Sequence, residues 1–241
     1  MKNYQPYFPH VTYPYLGDDC PRGVTYHSDL PLDTTNVEIQ KPYKDIDKIT
    51  RLKNIEFIYV NRLENEWVEY FKTLPNLQHL VISHCKKQEE LPLLTDLRAL
   101  RVLQIIRCNQ LKNLGFLGNL PNLHSLCLSE LKQVTDLSPV AHFQELRELW
   151  VDGSITTRGP KLKSLAPVGE LKKLAFFHFM LDIEKENKTL SPLLNLSELK
   201  HLQLNNRRYK AEELDRLIEV LPDLKDIKFN AGSTWLKDLK K

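Results

Sequence analysis

The stretch Leu74-Pro-Asn-Leu77-Gln-His-Leu80-Val-Ile82-Ser-His-Cys85 decides the fold. Its apolar residues return as Leu97, Leu100, Leu103, Ile105 and Cys108, then as Leu120, Leu123, Leu126, Leu128 and Leu131. Downstream copies run from Phe143 to Val151, Leu171 to Phe179, Leu196 to Leu204 and Leu221 to Phe229. Leu52, Ile55, Ile58, Val60 and Leu63 form an upstream copy, and Val37-Glu-Ile39 reads as a truncated opening strand. From Ile39 to Phe229 the strand ends recur every 21 to 25 residues, apart from one step of 28 between Val151 and Phe179. Self-similarity at such a period marks a repeat array, whose units are stable only when stacked.

Within each copy the alternating residues of the L-x-L strand point to opposite faces. The leucines turn inward, and each contributes about 1.5–3 kcal/mol once a neighbouring repeat covers it. Two segments instead show helical spacing: Trp67, Tyr70, Phe71 and Leu74 near the start, and Leu214, Leu217, Ile218 and Leu221 near the end. Other return segments, such as Val134–Val140, Leu165–Val168 and Leu190–Leu193, are short and interrupted by proline, so compact turns are expected there.

The L-x-x-L-x-L-x-x-N/C pattern resembles the leucine-rich repeat family, with Cys85 and Cys108 where that family carries Asn or Cys. The repeat length is similar to that of internalin-type and phosphatase-regulator-type repeats and of bacterial cytoplasmic members. The resemblance covers residues 37–230. It implies an α/β solenoid curved into a horseshoe, with a parallel sheet on the concave face and short helices or 3-10 turns on the convex face. About eight repeats plus caps are expected. Residues 1–36, rich in Tyr and Pro, read either as a cap over the first strand or as a partner-binding arm, and residues 231–241 as a C-terminal cap or tail.

Composition narrows the function. Of 241 residues, 41% are hydrophobic and 27% charged, and 34 basic against 31 acidic residues leave a net charge of +3. So small an excess argues against nucleic acid or an anionic membrane as the partner. The opening residues carry no apolar signal segment and no apolar run is long enough to span a bilayer. Four scattered cysteines without CxxC spacing suit reduced thiols, so a cytoplasmic protein is expected.

Catalytic motifs are missing from the repeats. There is no G-x-S-x-G, and Gly153–Lys161 departs from a phosphate loop in both glycine spacing and the position of its lysine. Glu89-Glu90 and Glu212-Glu213 read as solvated charges on return segments. His79, His178 and His201 face outward on their strands, but no Cys/His cluster has metal-ligand spacing, so no metal and no cofactor are expected. An enzyme would have to draw on His10, Asp18, Asp19, Cys20 and His27 in the arm.

The outward strand positions map the working face. In order they are Asn36/Glu38/Gln40, Phe57/Tyr59/Asn61, His79/Val81/Ser83, Val102/Gln104/Ile106, Ser125/Cys127/Ser129, Glu148/Trp150/Asp152, Phe176/His178/Met180, His201/Gln203/Asn205 and Asp226/Lys228/Asn230. Phe57 with Tyr59, and Trp150 with Phe176, His178 and Met180, form two apolar groups of the kind found at interfaces. The residues just after the strands alternate in charge: Arg62, His84 and Arg107, then Glu130, Asp152 and Asp182, then Arg207, Arg208 and Lys210. Alternation of this kind suits a protein partner better than a phosphate backbone. The insertion at residues 152–162 follows the Trp150 strand, where it could cover the face or be a tolerated loop.

These readings predict a non-enzymatic protein-binding module, monomeric when free. Its partner-binding residues are Phe57, Tyr59, His79, Gln104, Ile106, Arg107, Glu148, Trp150, Asp152, Phe176, His178, Met180 and His201. The partner would be a toxin or enzyme that it masks as an inhibitor or immunity protein, or a complex subunit that it serves as adaptor.

Overall fold

The computed structural model describes residues 23–40, 45–85, 87–153, 159–204 and 209–228. In chain order the strands are β1 (Val24–Thr25), β2 (Asn36–Ile39), β3 (Phe57–Asn61), β4 (His79–Ser83), β5 (Val102–Ile106) and β6 (Ser125–Ser129). They continue as β7 (Glu148–Asp152), β8 (Lys161–Leu162), β9 (Phe176–Phe179), β10 (Asp182–Ile183), β11 (His201–Leu204) and β12 (Asp226–Lys228). Ten of them form one sheet in the order β1-β2-β3-β4-β5-β6-β7-β9-β11-β12, and every neighbouring pair is parallel.

The register follows the sequence repeat. Ile58, Leu80, Leu103, Leu126, Leu149, Phe177, Leu202 and Ile227 stand opposite one another strand by strand, and all are fully buried. Parallel strands need a crossover, and the return segments supply it. Near the start it is helix α1 (Asn65–Lys72), which buries Trp67, Val68 and Phe71. Near the end it is α2 (Ala211–Val220), which buries Leu214 and Leu217. Five others carry 3-10 turns, at Ile46–Arg51, Gly115–Leu117, Ser138–His142, Val168–Glu170, and Lys185–Asn187 with Ser191–Asn195, while the described residues between β4 and β5 form only turns and bends. Proline opens two of these turns, which explains why they stay short.

Backbone carbonyls in the turns that lead into the strands are tied across repeats. Asn54, Asn76 and Asn122 donate to the carbonyls of Leu32, Lys53 and Arg98 at 3.1, 2.9 and 2.8 Å. Glu213, expected to be merely solvated, accepts from the backbone N–H of Leu190 at 3.0 Å and from the hydroxyl of Thr189 at 2.7 Å. The second helix therefore caps the turn of the repeat before it.

Three features were not expected. Residues 24–25, within the Tyr/Pro-rich segment, pair with Val37 and Glu38 and extend the sheet. Next to them Tyr26 is buried and its hydroxyl donates to the Asp45 carbonyl at 2.8 Å. The 28-residue step contains β8, which pairs with β10 as a small second sheet beside the main one. Gly153 and Gly159 come together beneath Leu181, and a Cβ on Gly159 would sit 2.4 Å from the Leu181 side chain. Finally, Arg62, His84, Arg107 and Glu130, each directly after its strand, hold φ values of 63°, 56°, 56° and 55°. Their N–H groups donate to Ser83, Ile106, Ser129 and Asp152, carrying the ladder one residue beyond each strand. That bonding holds non-glycine residues in the left-handed region, which costs about 1–2 kcal/mol each.

Candidate functional site: the concave face of the sheet

The register brings the outward strand residues into side-by-side contact. Trp150 lies between two neighbours from β9. Its indole stacks on the His178 ring at 3.6 Å and 8°, and on Phe176 at 6.2 Å and 23°. The indole Nε1 donates to Asp152 Oδ2 at 2.8 Å, while Ser129 Oγ donates to Asp152 Oδ1 at 2.5 Å. On the far side His178 Nδ1 donates to Gln203 Oε1 at 2.8 Å, leaving Nε2 4.0 Å from Asp152 Oδ2. Four adjacent strands thus contribute to one cluster.

Burial dominates its electrostatics. It raises the Asp152 carboxyl to about 6, against the lowering effect of the hydrogen bonds from Ser129 and Trp150. It lowers His178 to about 4, with the Gln203 bond opposing, and pushes the Cys127 thiol up. Glu148 is also buried and accepts from Ser125 Oγ at 2.8 Å.

A second cluster lies toward the start of the array. Phe57, Val81 and Ile106 pack together with half-buried Tyr59 against them. His79 meets Phe57 edge-on at 4.9 Å, and its Nε2 lies 2.9 Å from the Gln104 amide nitrogen. Burial lowers His79 to about 3. Beyond it on the rim, Arg107 Nε donates to Glu130 Oε1 at 3.0 Å.

The face is therefore less open than alternation implied. Trp150 is only 4% exposed and Phe176 1%, and Phe57, His79, Gln104, Ile106, Glu148 and His178 are buried as well. In-register strands set each outward side chain about 4.8 Å from its neighbour, so bulky rings close over one another and over small Cys127. Of the residues expected to bind a partner, those that remain half-exposed are Tyr59, Arg107, Asp152, Met180 and His201; Asn36, Glu38, Asn61, Val102 and Gln203 on the same face are half-exposed too. Asn205, Arg207, Arg208, Asn230, the arm residues His10, Asp18, Asp19 and Cys20, and the middle of the insertion lie outside the described residues. The outward reading of Asp226 and Lys228 likewise concerns side chains outside them.

Among solved structures, the leucine-rich repeat domain of the type III effector XopL superposes with a TM-score of 0.51 at 17% identity. The match covers 81% of this chain and 76% of that one. The fold is that of the leucine-rich repeat proteins. A leucine-rich repeat protein from Leptospira interrogans (TM-score 0.48, 20% identity) is covered over 46% of its length by 81% of this chain. An internalin from Listeria monocytogenes (TM-score 0.36, 18% identity) is covered over 66% by 80% of this chain. The chain thus spans about half the length of the Leptospira relative. No protein-family model matches the sequence, and no curated protein sequence does.

Within this leucine-rich repeat solenoid, Ser129, Asp152 and His178 meet in an order that does not make a nucleophile. The serine proton points at the carboxylate, whereas activation requires the imidazole on the hydroxyl. Among the described residues no three His, Cys, Asp or Glu side chains converge to hold a metal ion. Nor does any described helix have the length and apolarity to cross a membrane. Sequence reading named the aromatic members of the cluster but not the role of its connectors, Ser129 and Gln203. Their register positions, opposite Asp152 and His178, carried that signal.

Proposed function

We propose that this leucine-rich repeat chain is a non-catalytic protein-binding module whose partner docks on the concave face. The observation that carries the reading is the division of labour there. Tyr59, Arg107, Asp152, Met180 and His201 are half-exposed; Tyr59 packs on the Phe57 cluster, Asp152 accepts from Trp150, and His201 stands in register opposite Phe176. Trp150, Phe176 and His178, with Phe57, His79, Gln104, Ile106 and Glu148, form the platform that fixes them. A recognition surface ordered before the partner arrives gives up little conformational freedom on binding. The buried rings thereby act as positioning residues, and the half-exposed ones touch the partner.

In its finer form the proposal is an inhibitor or immunity protein that masks a toxin or enzyme. Cys85, Cys108 and Cys127 are free and buried, which suits a reducing compartment such as the cytoplasm. The test is affinity capture from the native cell with wild-type chain beside a Tyr59→Ala/Met180→Ala/His201→Ala variant of unchanged fold. A stoichiometric partner lost by the variant supports the reading, and inhibition of that partner's activity supports the finer form. A partner retained by the variant refutes concave docking, and a partner left fully active refutes the inhibitor form.

A further inference from the structure

A second feature borders the same sheet at the opposite ends of the strands. The carbonyl of Arg101 accepts from His124 and Ser125, that of His124 from Arg147 and Glu148, and that of Arg147 from Ala175 and Phe176. The Ala175 carbonyl then accepts from Lys200 and His201, and the Lys200 carbonyl from Lys225. One register row therefore reads Arg101, His124, Arg147, Ala175, Lys200, Lys225. From Arg101 onward it is basic at four of six positions; upstream the same row continues through Gln78 and Glu56, so the basic stretch begins at Arg101.

The side chains feel one another. His124 is lowered by burial first and then by Arg101, Arg147 and Lys173, with Glu145 opposing. Arg101 and Lys225 are exposed, and Arg147 and Lys200 half-exposed. Acids beside the basic stretch are the exposed Glu56 two strands upstream, Glu145, bonded to Lys173 at 2.5 Å, the buried Glu148 directly after Arg147, Asp226 directly after Lys225, and the exposed Glu198 and Asp223 two positions before Lys200 and Lys225. Arg98, 82% exposed, adds a further cation near Arg101, with Asp96 3.9 Å away.

We infer that this rim is a docking rail for an acidic, extended segment of a protein partner. Five strand steps of about 4.8 Å separate Arg101 from Lys225, so the rail is about 24 Å long. An extended peptide of about seven residues covers that distance. Discrete carboxylates match the row better than a phosphodiester chain does. Ala175 interrupts the cations with a gap of two strand steps, and Glu198 and Asp223 flank the far end, where a uniform line of phosphates would meet repulsion. The inference rests on the protein-binding reading above but needs no native partner for its test.

The probe is fluorescein-labelled octaglutamate, read by anisotropy at low ionic strength, with octathymidylate as the comparison. Wild type binds octaglutamate, and binding weakens as salt is added. An Arg101→Glu/Lys200→Glu/Lys225→Glu variant loses about tenfold in affinity, three rim contacts each contributing two- to threefold. Lys112→Glu/Lys163→Glu, which reverses two cations on the return segments, stays within about twofold of wild type. Arg98→Ser/Arg101→Ser, two exposed positions, serves if the triple variant fails to fold and weakens binding in the same direction. No binding by wild type, or equal binding by the rail variants, overturns the inference. Octathymidylate binding as tightly through the same residues also overturns it, in favour of a nucleic-acid rail. Loss of octaglutamate without loss of the captured partner separates this inference from concave docking, since each can fail alone.

Discussion

Replacing Asp152 by Asn should make the folded chain more stable at neutral pH. The side chain is 13% exposed, and burial raises its carboxyl from 3.8 to about 6. The folded state holds that proton more tightly than the unfolded state does. Its contribution to stability is therefore complete below pH 3.8 and is lost as pH rises through about 6. The gap of about two pH units corresponds to about 3 kcal/mol by neutral pH. Asn removes the charge while keeping both neighbours satisfied: its oxygen accepts from Trp150 Nε1, and its amide donates to Ser129 Oγ. Urea unfolding of both chains from pH 4 to 7.5 should show the variant ahead by about 2–3 kcal/mol at the upper end, the difference closing toward pH 4. His178 moves the opposite way. Lowered to about 4, it favours folding above pH 6.5 and loses that contribution as pH falls through about 4. The difference between the two chains, and not the wild-type profile alone, therefore isolates Asp152. A variant less stable at pH 7.5, or a difference flat across the range, would show that hydrogen bonding outweighs desolvation.

Other consequences are simpler to test. Trp150→Ala removes a nearly buried indole, its stack on His178 and its bond to Asp152, and should lower stability by about 3–5 kcal/mol in the same unfolding assay. Gly118 has a φ of 54°, and a Cβ there would stand 2.3 Å from Thr95 Oγ1, so Gly118→Ala should cost at least about 2 kcal/mol, read as a fall in Tm. At Arg62, with a φ of 63°, Arg62→Val should cost about 1–2 kcal/mol while Arg62→Gly stays within about 1 kcal/mol of wild type. Equal losses from the two would argue against left-handed strain in that row. Asn122→Ala leaves the Arg98 carbonyl without its cross-repeat donor and should cost about 1 kcal/mol by denaturant midpoint.

The spacing of Leu77, Leu80 and Ile82 and its copies carried the strands from β2 to β12 in the main sheet, because inward leucines fix both period and register. The spacing of Trp67, Phe71, Leu214 and Leu217 carried both helices. What alternation could not carry was crowding. It says that Trp150 and Phe176 point away from the core, but not that neighbours one strand away will bury them. Strand β1 escaped because two residues among prolines and tyrosines have no period to detect. The left-handed row escaped because Arg, His and Glu do not announce positive φ; the ladder imposes it from outside. Connectors such as Ser129 and Gln203 were legible as positions but not as bonds, since pairing depends on side-chain reach across the register.

The meeting of Gly153 and Gly159 has an evolutionary consequence. Strand β7 pairs directly with β9, so the main ladder passes the insertion with its register unbroken. Changing the number of residues between the two glycines alters closure entropy by only about 0.6 kcal/mol per doubling of length. A change of length between the two glycines is therefore expected to leave the β7–β9 pairing in register. Selection would be expected to act on the two glycines, where a Cβ on Gly159 would stand 2.4 Å from Leu181 Cδ2, and not on the stacked repeats beside them.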